Sequence, residues 1–165
     1  MMNRLQLARE RMQVARDYTL RFLDQTPTSD WLRIPASGVS HIAWQVGHLA
    51  MAEYRLTLDR IRGRTSDDET LISDAFLQTF ARESVPSTDI PFSAEVIREI
   101  FDRVHARMLT ESANWSEESL AAPVLKPHPI VRTKLEALEW CANHELVHAG
   151  QIGLLRRQLG HQPLW

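Results

Sequence analysis

Apolar residues recur at helical spacing along most of the chain. Leu5, Ala8, Met12, Ala15, Thr19 and Phe22 follow the three-and-four rhythm of one buried stripe, which predicts a first helix over Asn3–Leu23. Pro27, Pro35 and Gly38 mark a loop from Thr26 to Val39, with one short turn around Trp31 and Leu32. Ser40 suits the N-cap of a second helix, because its hydroxyl can accept an orphan N–H of the first turn. That helix runs to Arg62 and stops at Gly63. A connection from Gly63 to Pro91 follows, with a short helix near Thr70–Arg82. Ser93 caps a third helix that reaches Ser112, with Ala94, Ile97, Val104 and Met108 on its apolar side. Pro123, Pro127 and Pro129 make the segment from Asn114 to Arg132 irregular. Thr133 and Glu136 form a capping box that opens a fourth helix, which ends at Gly160 before Pro163. No strand or internal repeat is evident. Four long helices with one sizeable crossover between the second and third describe an all-α four-helix bundle that is not simple up-down-up-down.

A chain of 165 residues reads as a single domain spanning 1–165. A net charge of −2 with scattered basic residues argues against a nucleic-acid binder. No segment approaches the roughly 20 apolar residues of a membrane span, and the first twenty residues lack the apolar run of a signal peptide. The expected location is therefore cytoplasmic. One cysteine, Cys141, excludes an internal disulfide and a cysteine-based zinc site.

The chemistry is concentrated in His144-Glu-Leu-Val-His148. Residues four apart on a helix lie about 6 Å apart along the axis and on one face, so both imidazoles can close on one metal ion. They share an inward stripe with Ala137, Cys141, Gln151 and Leu155, bordered by Trp140. On the second helix His48 follows Trp44 by one turn. Three imidazoles with an open position would make a catalytic rather than a structural site, provided they meet in space. Substrate entering between the helices would contact Trp44 and Trp140.

Other readings compete. His144-Glu-Leu-Val-His148 also fits the zinc-protease pattern HExxH, but that class needs a third ligand downstream and a sheet beside the helix. No Asp or Glu follows Glu145, and no strand is evident. A di-iron carboxylate bundle needs a second ExxH and two further glutamates. Glu145 is either a general base beside the metal or a solvent-facing helix residue. Gln151 either hydrogen-bonds a ligand in the pocket or is a polar residue at the bundle's end. His41 is the alternative ligand from the second helix. Cys141 is a thiolate or a small buried hydrophobe. Arg156 and Arg157 bind an anion or complement the helix C-terminus. His105, His128 and His161 read as surface or loop histidines, and Trp31, Trp115 and Trp165 as covers for the ends of the core.

The segments Ser40-His-Ile-Ala-Trp-Gln-Val-Gly-His48-Leu-Ala, His144-Glu-Leu-Val-His148-Ala-Gly-Gln-Ile and Leu155-Arg-Arg-Gln-Leu-Gly160, in this order and spacing, resemble the DinB-like (YfiT-like) superfamily of metal-dependent enzymes. The resemblance implies helices in up-down-down-up order. It also implies one divalent transition metal per chain, zinc or nickel, held by His48, His144 and His148. Homodimers are common in that superfamily. Some of its members are transferases or isomerases that use a low-molecular-weight thiol such as bacillithiol or mycothiol, and some lack evident activity. The expectation is a metal-dependent enzyme acting on a small molecule, a thiol-dependent S-transferase or a hydrolase. The competing reading is a non-catalytic dimeric bundle whose metal is structural.

Overall fold

The computed structural model describes residues 3–164 and is all-helical, as the periodicity predicts. Helix α1 spans Arg4–Leu23, with the Asn3 side chain accepting from the N–H of Gln6 as N-cap. All six residues of its anticipated stripe are buried, and Arg16 is buried with them. Helix α2 spans Ile42–Glu53, widens into a π-helical turn over Tyr54–Asp59, and closes with Arg60–Arg62. Two short helices, α3 (Asp68–Leu71) and α4 (Asp74–Thr79), stand where one over Thr70–Arg82 was expected. The split falls at Ile72, whose extended backbone breaks the helix, and Ser73 recaps the next one. Helix α5 is Ala94–Ser112, capped by Ser93. A single turn, α6 (Glu117–Leu120), interrupts the irregular segment. Helix α7 is Lys134–Gln158 and opens with the anticipated Thr133–Glu136 capping box. Gly63 and Gly160 end α2 and α7 at φ +88° and +95°, a left-handed backbone that glycine adopts without Cβ strain.

The cap of α2 corrects the sequence reading. His41, not Ser40, is the N-cap, and its Nδ1 accepts from the N–H of Trp44 at 3.1 Å. Ser40 Oγ instead accepts from Gln45 Nε2. His41 Nε2 donates to the Ser87 carbonyl at 2.9 Å. Both ring nitrogens are thereby used, which removes His41 as a candidate ligand.

Helix α1 packs along α7, and α2 packs against both α5 and α7. Because α7 touches α1 on one flank and α2 on the other, it buries two stripes. The second, Leu138, Ala142, Glu145, Ala149, Ile152 and Arg156, was not evident from the apolar pattern, because two of its members are charged. Arg156 Nε donates to Thr26 Oγ1 at 2.6 Å and its Nη2 to the Gln25 carbonyl, so it fastens the loop after α1 rather than only completing a helix end. Trp31 is fully buried, with Nε1 donating to the Thr26 carbonyl, and Trp115 packs partly buried against the core. Trp165 lies outside the described residues.

The crossover is fastened to the π turn. Asp68 accepts from Tyr54 Oη, from the N–H of Thr65 and from both terminal nitrogens of Arg62, and Arg62 also pairs with Glu111 of α5. Burial alone would push the Asp68 carboxyl up. Arg62 and the other donors outweigh it and hold the group far below the usual carboxylate range. Further along the crossover, residues 80–87 return along α2, with the Phe80 carbonyl, Ser84 and Ser87 bonded to His48, Trp44 and His41.

Candidate metal centre

His144 and His148 project from one face of α7, one turn apart, and the packing of α2 on α7 brings His48 against them. One ring nitrogen from each lies within 4.8 Å of the others. Ring centroids are 4.5 Å apart for His144–His148, 4.8 Å for His48–His148 and 5.3 Å for His48–His144. His48 and His148 are buried, and His144 is half-buried.

Two of the three rings are oriented by hydrogen bonds. His48 Nδ1 donates to the Phe80 carbonyl at 2.9 Å, and His148 Nδ1 donates to Gln45 Oε1 at 2.6 Å. A neutral imidazole that donates through Nδ1 keeps its Nε2 lone pair free, the arrangement that metal-binding histidines use. Trp44 holds His48 from the other side, stacked at 4.8 Å and 11°, with its Nε1 donating to Ser84 Oγ. Gly47 is needed for this geometry, because a Cβ there would sit 2.4 Å from the Phe80 ring. Gln45 was absent from the sequence-based site, although it lies one turn before His48, the helical signal that could have placed it there.

Burial lowers the basicity of all three imidazoles. His144 is pulled down to about 4, first by burial and then by repulsion from His48 and His128. His148 is pulled down to about 3 by burial and by His144 and His48. His48 is lowered chiefly by burial, with Arg55 adding to it. At neutral pH the cluster therefore holds uncharged nitrogen donors converging on one point, a set that suits a borderline metal such as zinc or nickel.

Two cavities adjoin the cluster. One cavity of about 240 Å³ runs from His48 and His144 to Trp140, Arg55, Arg60 and His128. A second, of about 440 Å³, adjoins all three histidines and carries Trp44, Gln45 and Gln151. Trp44 and Trp140 thus flank the cluster on different cavities. Gln151 is exposed and lines the second cavity beside His148.

Glu145 is not with them. It is 3% exposed and belongs to the α7 stripe that faces α1. Its Oε1 accepts from Arg16 Nε at 2.8 Å and its Oε2 from Arg16 Nη2 at 3.3 Å. Among the described residues it lines neither cavity. One residue past a ligand the helix has turned by about 100°, which carries this side chain into the bundle. Arg16 also binds Glu53 at 2.6 Å, and Glu53 takes His105 Nδ1 at 2.7 Å. His105 is therefore a buried residue of this network, not a surface one. Cys141 is buried near the same charges, and desolvation pushes its thiol well above the usual range, so it stays protonated and packs as a hydrophobe.

An all-helical bundle with three converging imidazoles is compatible with a metal-binding protein. The chain belongs to the DinB superfamily, whose family model matches residues 11–152. Comparison with curated proteins finds no match.

If the Gln45 bond sets the His148 ring, Gln45→Ala should leave the helical content unchanged and weaken metal binding by about 10–100-fold, the usual worth of a partner that orients a ligand. Chelator competition on the purified variant measures this, and unaltered affinity would show that the bond does not matter for the ligand.

Proposed function

We propose that this chain is a metal-dependent enzyme acting on a small molecule, with His48, His144 and His148 as the ligands of one divalent transition metal, zinc or nickel. The observation that carries the reading is the convergence of three neutral imidazoles, two of them held in the Nε2-ligating tautomer, at the junction of two open cavities. Three protein ligands leave room for a further one, the pattern of catalytic rather than structural zinc sites. A metal bound there supplies Lewis acidity and draws the pKa of water or a thiol toward neutrality.

The chain's own residues do the rest. Trp44 and Trp140 give each cavity an aromatic wall against which the apolar part of a substrate desolvates. Gln151 offers an amide to a polar group on the Trp44 side. Glu145 holds Arg16 rather than a reacting proton, so the nucleophile loses its proton without help from this carboxylate. A low-molecular-weight thiol as co-substrate and an electrophile would occupy the two cavities in an S-transferase; a hydrolase would need one of them.

The test is turnover by zinc- or nickel-loaded protein, screened with electrophiles in the presence and absence of cellular thiols and with hydrolysable esters and amides. Activity should disappear on chelation and return with metal. Turnover indifferent to chelation would overturn the reading, and full metal loading with no turnover across the panel would favour a non-catalytic metal-binding bundle.

Assembly as a homodimer fits the outer surface of α1 and α7. Tyr18, Gly150 and Leu154 line one shallow depression there, and Val14 and Val147 are 66% and 58% exposed. Light scattering at micromolar concentration should give twice the mass of one chain, and a clean monomer would contradict it.

A further inference from the structure

The wall of the Trp140-side cavity is basic. Arg55, Arg60 and Arg82 line it beside His48 and His144, with Glu83 as the one acid among them. Elsewhere on the chain Arg16, Arg62, Arg64, Arg98 and Arg103 each pair with a carboxylate. Among the described residues, none of the three cavity arginines has such a partner. Arg60 spends its terminal nitrogens on the carbonyls of Arg55 and Pro127, and its Nε is buried with no acceptor. Arg55 and Arg82 have no side-chain hydrogen bond at all among the described residues. A half-buried guanidinium gives up hydration, and without an anion nothing offsets that loss.

The wall is also built in advance. The π turn bonds the N–H of Arg60 to the carbonyl of Arg55, five residues back, which sets the two arginines one wide turn apart on the same side of α2. The loop opposite is tied to this turn twice. Lys126 Nζ reaches both oxygens of Asp59 at 2.8 Å, and the N–H of Leu125 donates to the Arg60 carbonyl at 2.9 Å. That loop carries His128, whose Nδ1 accepts from the N–H groups of Ile130 and Val131. Its neutral ring therefore holds the proton on Nε2 and offers a donor.

We infer that this cavity is a subsite for the carboxylate of a small-molecule substrate, bound by Arg55 with Arg82 and the His128 ring, which places the remainder of the molecule at the three histidines. The last clause rests on the metal-centre reading; the anion subsite does not. Guanidinium forks match the two oxygens of a carboxylate. Glu83 on the same rim disfavours the second charge of a phosphate dianion.

Calorimetric titration of metal-loaded protein with succinate, its neutral diamide and inorganic phosphate tests this, with metal content measured on every sample. Succinate should bind and the diamide should not. Arg55→Gln should weaken succinate by about 10–100-fold, the worth of charge-assisted hydrogen bonds, with metal content unchanged. Arg82→Gln, at an exposed position, should weaken it in the same direction. Succinate binding that survives chelation and still depends on Arg55 supports the subsite even if the metal reading fails. Succinate binding that vanishes on chelation and ignores Arg55→Gln overturns it in favour of direct coordination. Failure of loaded wild type to bind either anion overturns the subsite and leaves the metal centre standing. Phosphate binding tighter than succinate overturns the carboxylate assignment.

Discussion

Arg16→Ala should destabilise the protein by about 3–5 kcal/mol, the cost of removing one partner from a buried ion pair. Arg16 is 2% exposed and is the common cation of Glu53 and Glu145, which are 2% and 3% exposed. It also donates to the Phe101 carbonyl and lies 3.4 Å from the Phe101 ring centroid. Without it, Glu53 keeps only His105, and Glu145 loses both of its Arg16 hydrogen bonds. The two acids respond differently to sharing one cation. Burial pushes Glu53 up, but Arg16 and His105 outweigh it and hold the carboxyl below its ordinary value. Burial and the neighbouring charge of Glu53 outweigh Arg16 at Glu145 and leave it raised. Glu53 thus contributes stability above its unfolded value near 4.5, lost as pH falls through its lower folded value. Ionised Glu145 works in the opposite sense. Glu145→Gln should therefore cost less than Arg16→Ala, because Arg16 keeps Glu53, and should leave metal content intact. Urea unfolding of both variants measures the difference. Equal and small costs would show that the network is incidental, and lost turnover in a folded, fully metalated Glu145→Gln would restore the carboxylate as a base.

Gly47→Ala should damage the fold and the site together. The added methyl would meet three atoms of the Phe80 ring, the nearest at 2.4 Å. Phe80 is fully buried and packed against Phe76 and Phe92, which also touch each other, so it has little room to yield. Alanine gains up to about 1 kcal/mol of helix propensity over glycine. Overpacking costs about 1–3 kcal/mol, and here strain should win because a rigid ring, not a flexible chain end, must move. The same shift displaces the Phe80 carbonyl from His48 Nδ1, so metal affinity should fall by about 10–100-fold. Denaturation and chelator competition on one preparation would show both effects; unchanged values in both would mean that Phe80 retreats freely.

The helices and the three histidines were legible because their signals are local. Asn3 to Leu23, the Ser93 cap and the Thr133–Glu136 box follow from spacing and capping chemistry within a few residues. His144 and His148 share a face by virtue of being four apart, and His48 was found through its order and spacing with Trp44. What was missed depends on which neighbour a face meets. Glu145 looked free for catalysis because the stripe it belongs to includes charged residues and was not read as buried. Only the packing of α1 on α7 shows that Arg16 receives it. The π turn has no residue signature in Tyr54–Asp59, so the pairing of Arg55 and Arg60 on one wall was equally hidden. Ser40 before the first apolar residue is a reasonable cap by composition, yet His41 takes the role because its ring also reaches Ser87 across the fold.

Three side chains from two helices should form one metal centre. Metal-to-chain stoichiometry decides this, measured by elemental analysis on wild type and on His48→Ala, His144→Ala and His148→Ala after identical loading and desalting, with circular dichroism confirming that each is folded. Wild type should carry close to one zinc or nickel per chain, and each folded variant should lose most of it. Retention of full metal by all three variants would show that these histidines are not its ligands.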